Sequence, residues 1–234
     1  MAALKSPQVP TRLIIPAYKY PTLGIWSVLA AHSPAVTPGY VICNISGTGP
    51  GKVADRAYAV AITRAITAGW TLLGYVDTNY GSRPFEEVVP DICNWKTLYN
   101  ITNIFFDQVD SQEDSLTYYT ELISHVHVTD TYANIVLNTG SPPNKYYLNK
   151  ELCDAIIVFE GPASAFASSP PPHYPKSAVS IGHIVYATDK EDYPAQLRAC
   201  EDLGASLVYV TDETEGLYGA LPSYFTQENQ QPTG

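Results

Sequence analysis

The chain has 234 residues, of which 45% are hydrophobic and 12% aromatic; this excludes a disordered segment and suffices for a full core. Its 23 acidic against 13 basic residues leave a formal net charge of -10, which argues against nucleic acid, anionic membranes and polyanionic substrates as partners. No apolar run reaches the length of a membrane span, and residues 1–7 lack the long apolar stretch of a signal peptide.

Taken in chain order, apolar segments recur at intervals that suit one strand and one helix each. The first strand is expected at 13–17, running into Tyr18, and the second at 39–44, ending in Asn44. A glycine-rich stretch, Gly47-Thr48-Gly49-Pro50-Gly51, follows; it lacks the Lys-Ser/Thr ending of a phosphate loop and reads as a flexible loop on the substrate side. A helix is expected over 52–68, with Val53, Ala57, Val60, Ala61, Arg64 and Ala65 at helical spacing and Gly69 as its stop. Strands at 71–76 and 103–107 run into Asp77 and end on Asp107. The next helix, 111–127, takes Ser111 as its cap, with Glu113 and Asp114 in the first turn, where negative charge suits the helix dipole.

A strand at 134–137 precedes Asn138, and 141–149 leaves room only for a short helix. The strand at 155–160 ends in Glu160, and 168–175, with Pro170, Pro171 and Pro172, is a loop. A strand at 179–185 contains His183, a helix at 193–203 closes at Gly204, and the last strand, 206–211, precedes Asp212. These strands are near-continuous apolar runs, the mark of a parallel sheet buried on both faces, and eight such units read as a single (β/α)8 TIM-like barrel. One domain is expected over 1–234, with its core at 11–226 and a polar, frayed tail at 227–234.

Cys43, Cys93, Cys153 and Cys200 show no CxxC pair and no zinc spacing; one or two disulfides are open, with three ways of pairing all four. Asn44-Ile45-Ser46 and Asn100-Ile101-Thr102 match the glycosylation pattern at the level chance allows. These features favour an extracellular or cell-surface place, with a signal or anchor removed.

The strand ends place Tyr18, Asn44, Asp77, Asp107, Asn138, Glu160 and Asp212 toward the C-terminal mouth of the barrel, where this architecture carries its chemistry, with His183 inside the seventh strand. Together they describe a polar, acidic pit. Glycosidic hydrolysis needs one carboxylic acid to protonate the leaving oxygen and one carboxylate to attack the anomeric carbon or activate water. Asp107 and Glu160, on strands four and six, are the pair best placed to flank a bond. The 18 tyrosines add aromatic surface that suits the apolar faces of sugars.

The segments Leu13-Ile14-Ile15-Pro16-Ala17-Tyr18-Lys19-Tyr20-Pro21, Gly74-Tyr75-Val76-Asp77-Thr78 with Tyr80-Gly81, Ile104-Phe105-Phe106-Asp107, Val158-Phe159-Glu160 and Val208-Tyr209-Val210-Thr211-Asp212 carry a resemblance over almost the whole chain. In this order and spacing the chain resembles the spherulin-4 family of fungal and microbial proteins. The resemblance implies a (β/α)8 barrel and endo-acting, retaining α-N-acetylgalactosaminidase activity on galactosaminogalactan. It implies no cofactor and no metal, with an aminosugar-containing polysaccharide as partner and a monomer as the working unit. By the same resemblance Asp107 and Glu160 are catalytic, Asp107 as nucleophile and Glu160 as general acid/base, with the reverse assignment open. Tyr18, Asn44, Tyr75, Asp77, Gln108, Asn138, His183 and Asp212 are expected to line the sugar site. One departure stands out: the family usually has an acid after the strand-four aspartate, and here that position is Gln108.

Two other readings stand beside this one. A metal-dependent polysaccharide hydrolase or deacetylase would draw on carboxylates and on His125 and His127, although no HExxH-type pattern is present. A non-catalytic aminosugar-polymer-binding or coat protein would keep the mouth without turnover, and Gln108 is its motive.

Overall fold

Strands that are apolar on both faces need neighbours on both sides of the sheet, and a closed parallel barrel wrapped by helices supplies them. The computed structural model, which describes residues 11–22, 24–175, 179–214 and 218–230, has this arrangement. Eight parallel strands close in sequential order: β1 Arg12–Ala17, β2 Tyr40–Cys43, β3 Thr71–Asp77, β4 Ile104–Asp107, β5 Ile135–Asn138, β6 Ala155–Pro162, β7 Ser180–Tyr186 and β8 Leu207–Val210. The expected (β/α)8 barrel is thus the observed fold, and each strand lies within a residue or two of its expected limits.

Among the described residues seven helices accompany them: α1 Ile25–Ala31, α2 Arg56–Thr67, α3 Phe85–Tyr99, α4 Leu116–Thr129, α5 Ala163–Ser168, α6 Tyr193–Asp202 and α7 Phe225–Gln230. Short 3-10 turns at Glu113–Ser115 and Lys145–Tyr147 precede α4 and fill the β5–β6 connection. No helix among the described residues is long and apolar enough to cross a membrane.

Several local expectations need correction. Helix α2 begins at Arg56 rather than Lys52, because the Asp55 carboxylate accepts from the backbone N–H groups of Ala57 and Tyr58 and so ends the loop there; Val53 is 80% exposed. Ser111 does not cap α4. Asp110 organises that turn instead, accepting from the Gln112 N–H and the Ser115 hydroxyl. The glycine-rich loop after β2 is tied down: the Ser46 hydroxyl bonds both the Gly49 N–H and its carbonyl, and the Thr48 carbonyl accepts from the Asp77 N–H. The tail is not frayed from 227, because α7 runs to Gln230 with Glu228 and Asn229 buried; residues 231–234 lie outside the described residues, as does the chain start at 1–10.

Helix α3 escaped the sequence reading because Pro90 lies inside it, although Val88, Ile92, Trp95 and Tyr99 form a buried stripe at helical spacing. Its Trp95 ring lies directly on β3 at Gly74, where a Cβ would come within 2.6 Å of the indole. The indole N–H donates to the Tyr75 carbonyl at 2.8 Å, which fixes helix to strand immediately below the mouth.

Sheet parity decides which strand residues reach the barrel interior, since alternate side chains face opposite sides and paired residues share a side. Tyr75 pairs with Phe105, and Asp77 with Asp107, so these four share the inner face. In β6 a bulge between Ile157 and Phe159 shifts the register by one residue. Without that extra residue Glu160 would face the helices. With it, Glu160 turns inward and Phe159 outward, onto Phe166 of α5 at 4.9 Å between ring centroids.

Candidate active site

The inner-face residues at the C-terminal ends of β4, β5 and β6 meet in a pocket of about 600 Å³, a volume in the range of small-ligand sites. Asp107, Gln108, Asn138, Glu160, Tyr186 and Tyr218 line it, with Tyr80, Thr139 and Gly140. No lysine or arginine is among these lining residues.

Asn138 is the hinge of the arrangement. Its Nδ2 donates to Asp107 Oδ1 at 2.7 Å and to Glu160 Oε2 at 2.6 Å, using both amide hydrogens. The amide cannot be turned round, because its Oδ1 accepts from the Gly140 N–H at 3.0 Å. The nearest oxygens of the two carboxylates are therefore no farther apart than the sum of those two donor distances. Each carboxylate has its own tyrosine as well: the Tyr75 hydroxyl donates to Asp107 Oδ2 at 2.7 Å, and the Tyr218 hydroxyl to Glu160 Oε1 at 2.6 Å.

Burial pushes the Asp107 carboxyl above the ordinary carboxylate range. Hydrogen bonds from Tyr75, Asn138 and the Gln108 backbone pull it back, and the Asp77 charge pushes it further up. Burial holds Tyr18, Tyr75 and Tyr218 well above the ordinary phenol value, aided by both acids at Tyr18 and Tyr75 and by Glu160 at Tyr218. These tyrosines stay protonated and act as donors. Tyr18 forms the floor between them, edge-on to Tyr75 at 5.6 Å and to Tyr218 at 5.7 Å.

Gln108 enters the pocket beside Asp107 by leaving the strand. Residues adjacent in a strand face opposite ways, but β4 ends at Asp107 and Gln108 adopts a left-handed backbone with φ 51. That conformation is pinned. The Thr78 hydroxyl sits between the Asp107 carbonyl at 2.9 Å, the Gln108 carbonyl at 2.8 Å and the Tyr119 hydroxyl at 3.0 Å. The Tyr80 N–H also donates to the Gln108 carbonyl, at 2.7 Å.

Of the residues singled out by sequence, Asp107, Glu160, Asn138, Gln108, Tyr75 and Tyr18 come together here. Asp77 lies next to Asp107 on the same face, and its carboxylate accepts from the Asn79 N–H at 2.6 Å. Three others do not join the pocket. Asn44 closes its own loop, accepting from the Gly47 N–H at 2.9 Å. His183 pairs with Phe159 on the outer face of the sheet, sealed under Phe166 of α5, where burial lowers its pKa to about 4. Asp212 has the parity of Val208 and Val210, which face the helices; it accepts from the Ser223 N–H at 3.0 Å and so anchors the connection that carries Tyr218.

Sequence reasoning missed Tyr218, Tyr186 and Tyr80 as pocket residues. Tyr186 ends β7 on the inner face, two residues beyond Ile184, and continuing the strand parity would have found it. Tyr218 stands in a loop with no strand to give it direction, so only its place on the mouth side of β8 pointed to it.

Among the described residues no group of three or more His, Cys, Asp or Glu side chains could hold a metal ion. His125, raised as a possible ligand, is exposed and packs edge-on to Phe85 at 5.1 Å. The four cysteines are free, so none of the disulfides that the sequence left open is formed.

The profile of spherulation-specific family 4 (Spherulin4) matches residues 12–231. Spherulin-4 of Physarum polycephalum is 29% identical over 235 residues, covering 94% of this chain and 69% of its own length. The crystal structure of Aspergillus clavatus Sph3 in complex with GalNAc aligns with a TM-score of 0.78 at 22% identity, covering 94% of this chain and 96% of that one; at this identity the likeness is one of fold.

Proposed function

The chain belongs to the spherulin-4 family, and on that premise we propose that it is an endo-acting glycoside hydrolase cleaving α-1,4-linked N-acetylgalactosamine in galactosaminogalactan with retention of configuration. The observation that carries this reading is the single Asn138 amide nitrogen bonded to both carboxylates. Bridging through one nitrogen draws the two carboxylates together, which favours the roughly 5–5.5 Å carboxyl spacing of double displacement over the roughly 6.5–9.5 Å that leaves room for water in an inverting site. The Aspergillus clavatus Sph3 structure of the same fold contains GalNAc, which supports an aminosugar as the ligand class.

In the first step an Asp107 oxygen attacks the anomeric carbon while protonated Glu160 gives its proton to the departing glycosidic oxygen. In the second, ionised Glu160 takes a proton from water, and that water displaces Asp107 from the sugar. Tyr75, Asn138 and the Gln108 N–H donate to Asp107 and oppose the rise that burial imposes on its pKa, as suits a carboxylate that reacts in its ionised form. Tyr218 and Asn138 orient Glu160. We take the monomer as the working unit. An extracellular or cell-surface place of action goes with this polysaccharide substrate.

The test is product release from purified galactosaminogalactan, read by mass spectrometry. Short N-acetylgalactosamine oligomers are expected from the native chain. Glu160→Gln should reduce their release by roughly 10²–10⁴-fold, Asp107→Asn should abolish it, and chelator should leave it unchanged. Binding without release, restored to release by Gln108→Glu, would mean that the amide at 108 is the lesion. Binding without release from any form would point to the coat-protein reading.

A further inference from the structure

Two residues beyond Tyr18, the β1–α1 connection carries Tyr20 and Pro21 into a second groove of about 670 Å³. Its other wall is Ala54 to Ala57 and Val60, from the β2–α2 connection and the start of α2. Both connections leave the C-terminal ends of neighbouring strands, so the groove opens on the same face as the pocket. A chain rises at most about 3.6 Å per residue, which keeps the Cα of Tyr20 within roughly 7 Å of that of Tyr18, the floor of the pocket. The two depressions are thus successive along one face.

Tyr20 is 50% exposed, yet its ring is held in place. The hydroxyl donates to the Asp55 carboxylate, with oxygens at 3.1 and 3.3 Å, and the ring stands edge-on to Tyr58 at 5.4 Å, which in turn meets Trp26 at 6.1 Å. Asp55 is itself fixed as the α2 cap, and its own N–H donates to the Tyr99 hydroxyl at 2.8 Å. Capping explains where the hydroxyl goes; it does not explain why a large aromatic face is left bare in a groove. Beside it Arg56 is exposed, and among the described residues its guanidinium makes no ion pair or hydrogen bond.

We propose that this groove is a second sugar-binding site, taking a pyranose ring of the same polymer chain that occupies the pocket. The apolar C–H face of the ring stacks on Tyr20, and Arg56 donates to ring hydroxyls or to an acetamide carbonyl. A rigid aromatic platform loses little freedom on binding, so this contact adds affinity at small entropic cost. The proposal rests on the polysaccharide reading above and adds to it a preference for long chains.

The experiment compares a short and a long N-acetylgalactosamine oligomer with the native enzyme, Tyr20→Ala, Tyr20→Phe and Arg56→Ala, each checked for an unchanged melting temperature. Tyr20→Ala should raise KM for the long oligomer about tenfold, with kcat and the short oligomer unaffected, and Tyr20→Phe should keep most of the preference. Equal effects on both oligomers, or none on either, would overturn the proposal. If the native chain turns over neither oligomer, the hydrolase reading fails on its own. Calorimetric affinity for the long oligomer then decides: a roughly tenfold loss in Tyr20→Ala supports the groove, and no loss removes it.

Discussion

Asp107 is a buried acid held by several donors in the pocket. Burial raises its pKa while the Tyr75 hydroxyl, the Asn138 amide and the Gln108 N–H oppose that rise. As a nucleophile it acts ionised, so activity should fall as pH drops through this raised value. Tyr75→Phe removes one of the opposing bonds, and the acidic limb of kcat/KM should therefore move to higher pH, by roughly half a pH unit to one. A pH–rate profile whose acidic limb stays put or moves down would mean that Asp107 does not govern it. At this scale the sequence was informative where parity is simple and silent where the backbone departs from it. Asp107 and Asn138 end regular strands and were legible. Glu160 was named correctly as a rim residue, but it faces inward only through the β6 bulge, which alternation alone does not reveal. His183 and Asp212 were misassigned because being near a strand end says nothing about which face a side chain takes.

Among the elements, the docking of α7 depends on protonation. Glu228 is buried against the end of β8; Oε1 accepts from the Val210 N–H at 3.0 Å, while Oε2 has no partner among the described residues. Burial raises its pKa from 4.5 to about 8, and the neighbouring Asp212 adds to the rise, with Tyr193, Tyr209 and Tyr224 also close by and neutral. A pKa raised on folding means that the folded state favours the proton. The contribution to stability is complete below about pH 4.5, declines from there, and is lost as pH rises through about 8. Relative to Glu228→Gln, the native melting temperature should fall by roughly 5–10 °C between pH 5 and pH 9. Parallel pH curves for the two proteins would contradict this. Strands were legible as elements because each is a short apolar run; helices were less so. Helix α3 hid behind Pro90, and α2 and α4 were started early because the true N-terminal signals, Asp55 and the Asp110 turn, sit inside stretches that already looked helical.

For the whole molecule, the barrel follows from eight apolar runs at regular intervals, and the acidic balance follows from composition, so both could be read in advance. What composition could not supply is the state of the cysteines, since pairing depends on where the barrel brings them. Cys43, Cys153 and Cys200 are buried and Cys93 is exposed on α3. Burial pushes the Cys153 and Cys200 thiols up to about 12 and raises Cys43 as well, which removes the reactive thiolate. A thiol reagent should therefore modify Cys93 alone in the native protein, and a reductant should leave the melting temperature unchanged; loss of stability on reduction would reveal a disulfide.

Double displacement needs two carboxylates as close as Asp107 and Glu160, and the stereochemistry of the first product tests that most directly. Proton NMR during early turnover of an α-1,4-linked N-acetylgalactosamine oligomer should show the α-anomer of the new reducing end first, followed by slow mutarotation. A β-anomer appearing first would place water between Asp107 and Glu160 and contradict the mechanism.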